Sequence, residues 1–337
     1  MNTQKNYTLE LMKLFASYMV VFIHVMFYGE TGMVIDALAR FAVPLFFLIS
    51  GYYSFHIQPQ KIIKRIRNIL TLFIFASVCY SLYNTMILLF VGDIGAVGSY
   101  FGKYLDVKTL IKFFVFNIPV SSLHLWFLPA LIYVYVIFYI ATLIHFNEKV
   151  EFIIAFSLLF LHILLGEFLS TMGVVVSIPI VRNFVLMGIP FFGLGLFAKK
   201  HENKLRNIPN SVIIIACATG IFESLISRYF IGKNELYFGS LLIVFAMVAV
   251  FIKYPTVKYP PFFNALFGCS TYIYIFHVMI SAVLVSIYDL FSVNYQGSVA
   301  LQYVHPLIVC VISTIMAYGI VRLLKFFHQK NKKQNFN

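Results

Sequence analysis

Lys13 and His24 stand eleven residues apart in the stretch ELMKLFASYMVVFIHVM. At about 100° per residue, eleven steps end within about 20° of three full turns, so both side chains share one helix face. They lie about 16 Å apart along the axis. A neutral imidazole is the usual group for taking a proton from a hydroxyl near neutral pH. It can also carry an acyl group briefly. The bland alternative is a snorkelling lysine and a hydrogen-bonded core histidine.

Arg40 opens a second such stretch, RFAVPLFFLISGYY, and the residues before it, MVIDALA, are apolar apart from Asp36. A guanidinium there could stabilise a developing oxyanion or fix a neighbouring carboxylate. His277 sits late in the apolar run CSTYIYIFHVM, and His124 and Trp126 open HLWFLPALIY. Glu167 and Arg182 fall near the ends of apolar runs. The interface tolerates His124, Glu167 and Arg182, and Trp126 fits an aromatic belt. His56, His145, His201 and His328 read as solvated, while His162 and His305 read as packing or interface residues. Glu223 lies in an apolar run with no evident partner.

The elements that must hold these residues are membrane helices. Hydrophobic residues make up 61% of the 337 and charged residues 11%, with a mean hydropathy of +0.90. A soluble domain carries about 25% charged residues. Several apolar runs reach the roughly 20 residues that cross a bilayer as a helix. Strand alternation is missing, which argues against a β-barrel. The expected fold is all-α: one polytopic membrane helix bundle of about ten spans. They fall near 8–28, 33–55, 67–92, 124–145, 150–169, 181–198, 210–229, 236–252, 264–288 and 302–325. No linker splits off a soluble domain, so residues 1–337 read as a single domain, with spans over about 8–326 and a basic cytoplasmic tail, 327–337. The first run lacks a small-residue cleavage site and reads as a retained helix. TLIKFFVFNIPV, in the connection from Asp93 to Ser122, is apolar but short and fits a re-entrant or interfacial piece.

The net charge of +13 does not point to nucleic acid, because the cations sit in short loops between apolar runs. With the N-terminus inside, eighteen of the 25 Lys and Arg residues fall on the inner side, including the KIIKRIR cluster of Lys61, Lys64, Arg65 and Arg67. Six fall outside, among them Arg182 and Arg228. That asymmetry puts both termini in the cytoplasm. On this orientation His24, Arg40 and His277 share the outer half, with His124, Glu167 and Arg182 near the outer face. Pro44 would free a backbone carbonyl, and Ser50 and Gly51 would let helices approach closely. Both features fit a helix lining an internal site. The four cysteines are scattered through apolar runs and show no metal or disulfide spacing.

These segments resemble the membrane acyltransferase-3 family. The basic residue, ten-residue gap and histidine of Lys13 to His24 match its first-helix motif. RFAVPLFFLISGYY resembles its second-helix signature. HLWFLPALIY, RNFVLMGIPFFGLGLF and STYIYIFH are similar to further family segments, in the family's order. The likeness is greatest to the Gram-positive branch, which holds the membrane half of the vancomycin-resistance serine racemases and polysaccharide O-acyltransferases. The resemblance implies ten helices in a bacterial cytoplasmic membrane. It implies a cytoplasmic acyl-CoA donor, with acetyl-CoA the expected one and no metal. The acceptor is expected to be a hydroxyl of an envelope glycan or a lipid-linked acceptor.

It further implies His24 as the catalytic histidine with Lys13 and Arg40 as supporting cations. Lys13, Lys64, Arg65 and Arg67 would then meet the coenzyme A phosphates, and His124, Trp126, Glu167, Arg182 and His277 would bind substrate. A continuous polar passage would lead from the inner cations to His24. Many members carry a fused extracytoplasmic domain, and this chain ends soon after its last span. The expectation is a separate extracytoplasmic partner, or direct action on the acceptor within the membrane. Two other classes stay open: an amino-acid or glycan-precursor transporter, and a non-catalytic subunit of an envelope polysaccharide system. Coenzyme A release by the purified protein would separate the enzyme from both.

Overall fold

The computed structural model describes residues 6–334, and every regular element in them is helical. Lys5, counted among the inner cations, and the last three residues of the expected tail lie outside the described residues. The helices run α1 (Tyr7–His24), α2 (Gly29–Ala39), α3 (Ala42–Tyr52), α4 (Pro59–Phe90), α5 (Ile94–Gly102) and α6 (Val107–Phe116). They continue through α7 (Phe127–Leu143), α8 (Glu148–Ile163), α9 (Leu169–Thr171), α10 (Ile178–Val181), α11 (Ile189–Lys200) and α12 (Glu202–Arg206). The last five are α13 (Asn210–Ile231), α14 (Phe238–Lys253), α15 (Phe263–Leu266), α16 (Ser270–Leu290) and α17 (Val299–Gln334). A 3-10 turn, Leu123–Trp126, leads into α7, and two π-helical turns, Leu164–Phe168 and Phe184–Gly188, interrupt the middle of the chain.

Seven helical stretches among the described residues are long and apolar enough to cross a bilayer. The other three of the ten expected spans are shorter or carry charge. One is α1, with Glu10 and Lys13 in its first two turns. The second is the π turn Phe184–Gly188 followed by the 12-residue α11, and the third is the 16-residue α14. Only 11% of the apolar window of α4 is buried by protein, so its remaining surface is suited to lipid. The segment expected as a tail belongs to α17, which continues to Gln334.

The chain forms two compact units interleaved in sequence. The first takes residues 1–42, 205–228 and 239–337, and the second takes 43–204 and 229–238. In the first unit α1 lies against α2, α16 and α17. Asn6 caps α1: its side chain accepts from the Leu9 N–H at 2.9 Å and donates to the Phe251 carbonyl at 2.8 Å. A capping residue of this kind contributes about 1 kcal/mol. Helices α13 and α14 cross at Gly220 and Gly239. A Cβ at either glycine would run into the backbone carbonyl of the other. Small residues at such crossings allow membrane helices to pack by close backbone contact.

In the second unit α4 lies on α7 and α8 on α11. Gly51 faces the Phe192 carbonyl and Gly195 faces the Leu48 carbonyl, so the expected close approach at Ser50-Gly51 is present, between α3 and α11. Pro44 plays a different part from the one expected. The helix breaks at Arg40 and Phe41, which makes Pro44 the third residue of α3. Its missing N–H belongs to a first turn that has no intrahelical acceptor in any case. Pro44 therefore starts a helix and does not interrupt one. The apolar piece expected in the connection is α6, capped by Asp106, which accepts from the Thr109 N–H at 2.8 Å. Hydrogen bonds from Thr109 hold the Asp106 carboxyl below its usual range.

Candidate active site

His24 closes α1, and its ring lies 5.3 Å from that of His277 on α16, centroid to centroid. The sequence put His24 deep within an apolar helix. The structure puts it in the last turn, exposed from the protein side, while His277 is fully buried. The difference follows from the chain leaving the helix at Val25, whose dihedrals are not helical. His277 Nδ1 lies 3.1 Å from the Ile273 carbonyl one turn back. A carbonyl only accepts, so Nδ1 carries a proton and donates it to that carbonyl.

Arg40 is buried and forms an ion pair with Asp36, one turn earlier on α2. Asp36 is the fully buried partner, and its second oxygen lies 3.8 Å from Arg228 Nε on α13. One carboxylate thus sits between two guanidinium groups. The sequence reading treated Arg228 as an outer loop cation and did not see this contact. Glu223, which had no evident partner, accepts from the Gly239 N–H and from Ser227 Oγ. It satisfies a donor at the start of α14, where helix N–H groups lack partners. Lys13 pairs with Glu10 on its own helix and is half-buried.

The second unit holds the other candidates. His124 is buried between Ser122, at 2.8 Å from Nδ1, and Tyr80, at 3.4 Å from Nε2. The guanidinium of Arg182 stands 5.6 Å over the Trp126 ring, and Arg182 Nη1 is 3.9 Å from Glu235. Such a cation over an indole contributes about 0.5–1 kcal/mol at exposed sites and more when desolvated. Glu167 lies in the first π-helical turn and accepts from the Phe238 N–H at 2.6 Å. The second π turn begins two residues after Arg182. Asn183 caps it by accepting from the Val185 and Leu186 N–H groups. π-helical turns occur often at functional sites.

The cations expected at the inner side differ from one another. Lys64 and Arg67 are exposed. Arg65 is already engaged: it donates to Ser54 at 2.7 Å, Tyr135 at 3.2 Å and the Tyr53 carbonyl at 2.8 Å, tying α4 to the end of α3. His162 is fully buried and donates from Nδ1 to the Leu186 carbonyl at 2.9 Å, as the packing reading expects. His305 is buried beside Ser281 at 2.9 Å and Tyr288 at 3.3 Å.

Asp36, Arg228 and Glu235 are the residues the sequence reading missed. Asp36 had a readable signal, a carboxylate four residues before an arginine, which is the spacing of a helical ion pair. Arg228 and Glu235 had none, because their partners are remote in sequence. No curated protein and no solved structure matches the chain. One family model does, under the description acyltransferase domain, over residues 6–322. That match takes in every candidate residue of both clusters, and the chain belongs to the acyltransferase-3 family.

Proposed function

We propose that the protein is an O-acyltransferase of a bacterial cytoplasmic membrane, moving an acetyl group from cytoplasmic acetyl-CoA to a hydroxyl of an envelope glycan. The observation that carries this reading is the His24–His277 pair. A hydroxyl is a poor nucleophile at neutral pH until a base takes its proton. His24 is the base, exposed to a reacting group and placed at a helix end. His277 is a buried ring beside it, held in orientation by its bond to the Ile273 carbonyl.

In the transfer, the acceptor oxygen forms the new C–O bond as His24 takes its proton. The thioester C–S bond breaks, and the thiolate leaves with the proton returned by His24. Arg40, oriented by Asp36, supplies positive charge to the carbonyl oxygen as it becomes an oxyanion. Lys13 lies about 16 Å from His24 along α1 and is assigned to the coenzyme A phosphates. Arg182 and Trp126 are assigned to the acceptor.

The test is coenzyme A release from acetyl-CoA by purified protein, together with mass spectrometry of envelope polymers from cells expressing each variant. His24→Ala is expected to insert at the normal level and to lose release and acetylation together. Normal envelope acetylation by His24→Ala would overturn the catalytic role. Absence of coenzyme A release by the wild-type protein, with transport of a solute present, would replace the enzyme reading with the transporter.

A further inference from the structure

Between α4 and the short helices α5 and α6, the second unit holds a cavity of about 560 Å³ that no step of acyl transfer uses. Its walls are almost wholly apolar, with Phe73, Leu82, Phe113 and Phe114 among them. Its size falls within the roughly 300–1,000 Å³ of ligand sites. Beside it lies a second space of about 380 Å³ with a different lining, which includes Asn84, Tyr100 and Lys103.

A chain of hydroxyl groups links residues that line the two spaces. Ser81 and Tyr104, on the apolar side, are 2.8 Å apart, and the Tyr100 hydroxyl donates to Ser81 at 3.1 Å. Asn84 donates to Tyr100 at 3.2 Å and to the Ser121 carbonyl at 3.1 Å. These bonds hold the residues where the two linings meet, so the two spaces are a built feature of the unit.

The charge around them is net positive, three lysines against two carboxylates. Lys103 lines the smaller space, and Lys108 and Lys112 stand exposed one turn apart on α6. The nearby acids are committed: Asp93 caps α5 and Asp106 caps α6 through backbone N–H groups. Helices α5 and α6 have nine and ten residues, too short to cross a bilayer. A lysine-bearing short helix with phenylalanines on its other face fits the plane of the membrane interface.

We propose that this pair of spaces is a binding site for one anionic phospholipid, its acyl chain in the apolar cavity and its phosphate headgroup against Lys103, with Lys108 and Lys112 adding to the attraction. An amphiphile is required because one space is apolar and its neighbour carries a cation. An anionic headgroup is required because the local charge is positive. The site is independent of the acyl-transfer reading and would stand if that reading failed.

The experiment uses the full chain in nanodiscs of equal phosphatidylcholine and phosphatidylglycerol, with retained lipid counted by native mass spectrometry. The wild-type protein is expected to keep one phosphatidylglycerol in preference to phosphatidylcholine. Lys103→Gln alters an exposed side chain and is expected to lower that preference about fivefold. Ser77→Phe places a ring in the apolar cavity and is expected to remove the retained lipid altogether. Equal retention of the two lipids by the wild-type protein would mean bulk annular lipid only, and would overturn the proposal. So would a Lys103→Gln protein with wild-type preference, which needs no cavity-filling variant to fold.

Discussion

Each unit sets an arginine against a carboxylate, and the two pairs are built differently. In the first unit Asp36 on α2 and Arg40 at its C-terminal cap are both buried, with Arg228 on the other side of the carboxylate. In the second unit Arg182 and Glu235 stand 3.9 Å apart with part of each side chain exposed, and Arg182 also covers Trp126. The first arrangement is closed. Its charges are taken from water and must satisfy one another, so geometry is held at the expense of tolerance to change. The second is longer and stays partly open to solvent. A rigid cation suits a developing charge at a fixed place, whereas a partly exposed one can be reached from solvent.

The largest expected effect comes from breaking the closed pair. Asp36→Ala leaves Arg40 and Arg228 facing each other without the carboxylate. Removing one partner of a buried pair costs about 3–5 kcal/mol. The expected outcome is a steep fall in membrane level and in thermal stability in detergent, partly restored by the double variant Asp36→Ala/Arg40→Leu. Wild-type stability in Asp36→Ala would erase the difference between the units. Arg40→Lys comes next. Lysine keeps the charge but loses the planar fork, and loss of an oriented donor to an oxyanion costs about 2.7–4 kcal/mol in turnover. Coenzyme A release near the wild-type rate by Arg40→Lys would mean that charge alone suffices there.

The sequence was most informative where a feature is local. Apolar length located the helices, and the Lys13-to-His24 spacing and the opening of α3 at RFAVPL led to the family. The short helix α6 was legible because its apolar and basic run is too brief to span. Three things were not legible. The break at Arg40–Phe41 was hidden because Pro44 has two meanings, helix interruption and helix start, and only the position of the preceding turn separates them. The exposure of His24 depends on where α1 ends, and VVFIHVM has no glycine or proline to mark that end. The contacts Arg228–Asp36 and Arg182–Glu235 join residues far apart in the chain, and charge alone does not pair them.

Helix crossings give a middle-sized test. Gly195→Ala would put a Cβ into the Leu48 carbonyl and the Tyr52 N–H, both backbone atoms that cannot swing away. The expected cost is about 1–3 kcal/mol, the range for overpacking. Gly98→Ala in α5 meets nothing within 4 Å and is expected to be neutral or to gain up to about 1 kcal/mol from helix propensity. Equal melting temperatures for the two variants would show that α3 and α11 do not rely on backbone contact.

Arg182→Gln has the smallest expected effect on the fold and the most pointed one on function. The ion pair is long and partly exposed, so it contributes about 0–1 kcal/mol, and the stacking on Trp126 adds a similar amount. Glutamine keeps a planar polar end that can still lie over the indole, which reduces the second loss. Thermal stability in detergent is therefore expected to fall by little, in contrast to Asp36→Ala. If Arg182 holds the acceptor equally in the ground and transition states, its loss raises KM for the acceptor and leaves kcat and the KM for acetyl-CoA unchanged. If it acts on the reacting atoms, kcat falls instead, and the division of labour between the two arginines is wrong. If neither constant moves, the cluster of Arg182, Trp126 and Glu235 serves the second unit's structure alone, and acceptor binding belongs elsewhere.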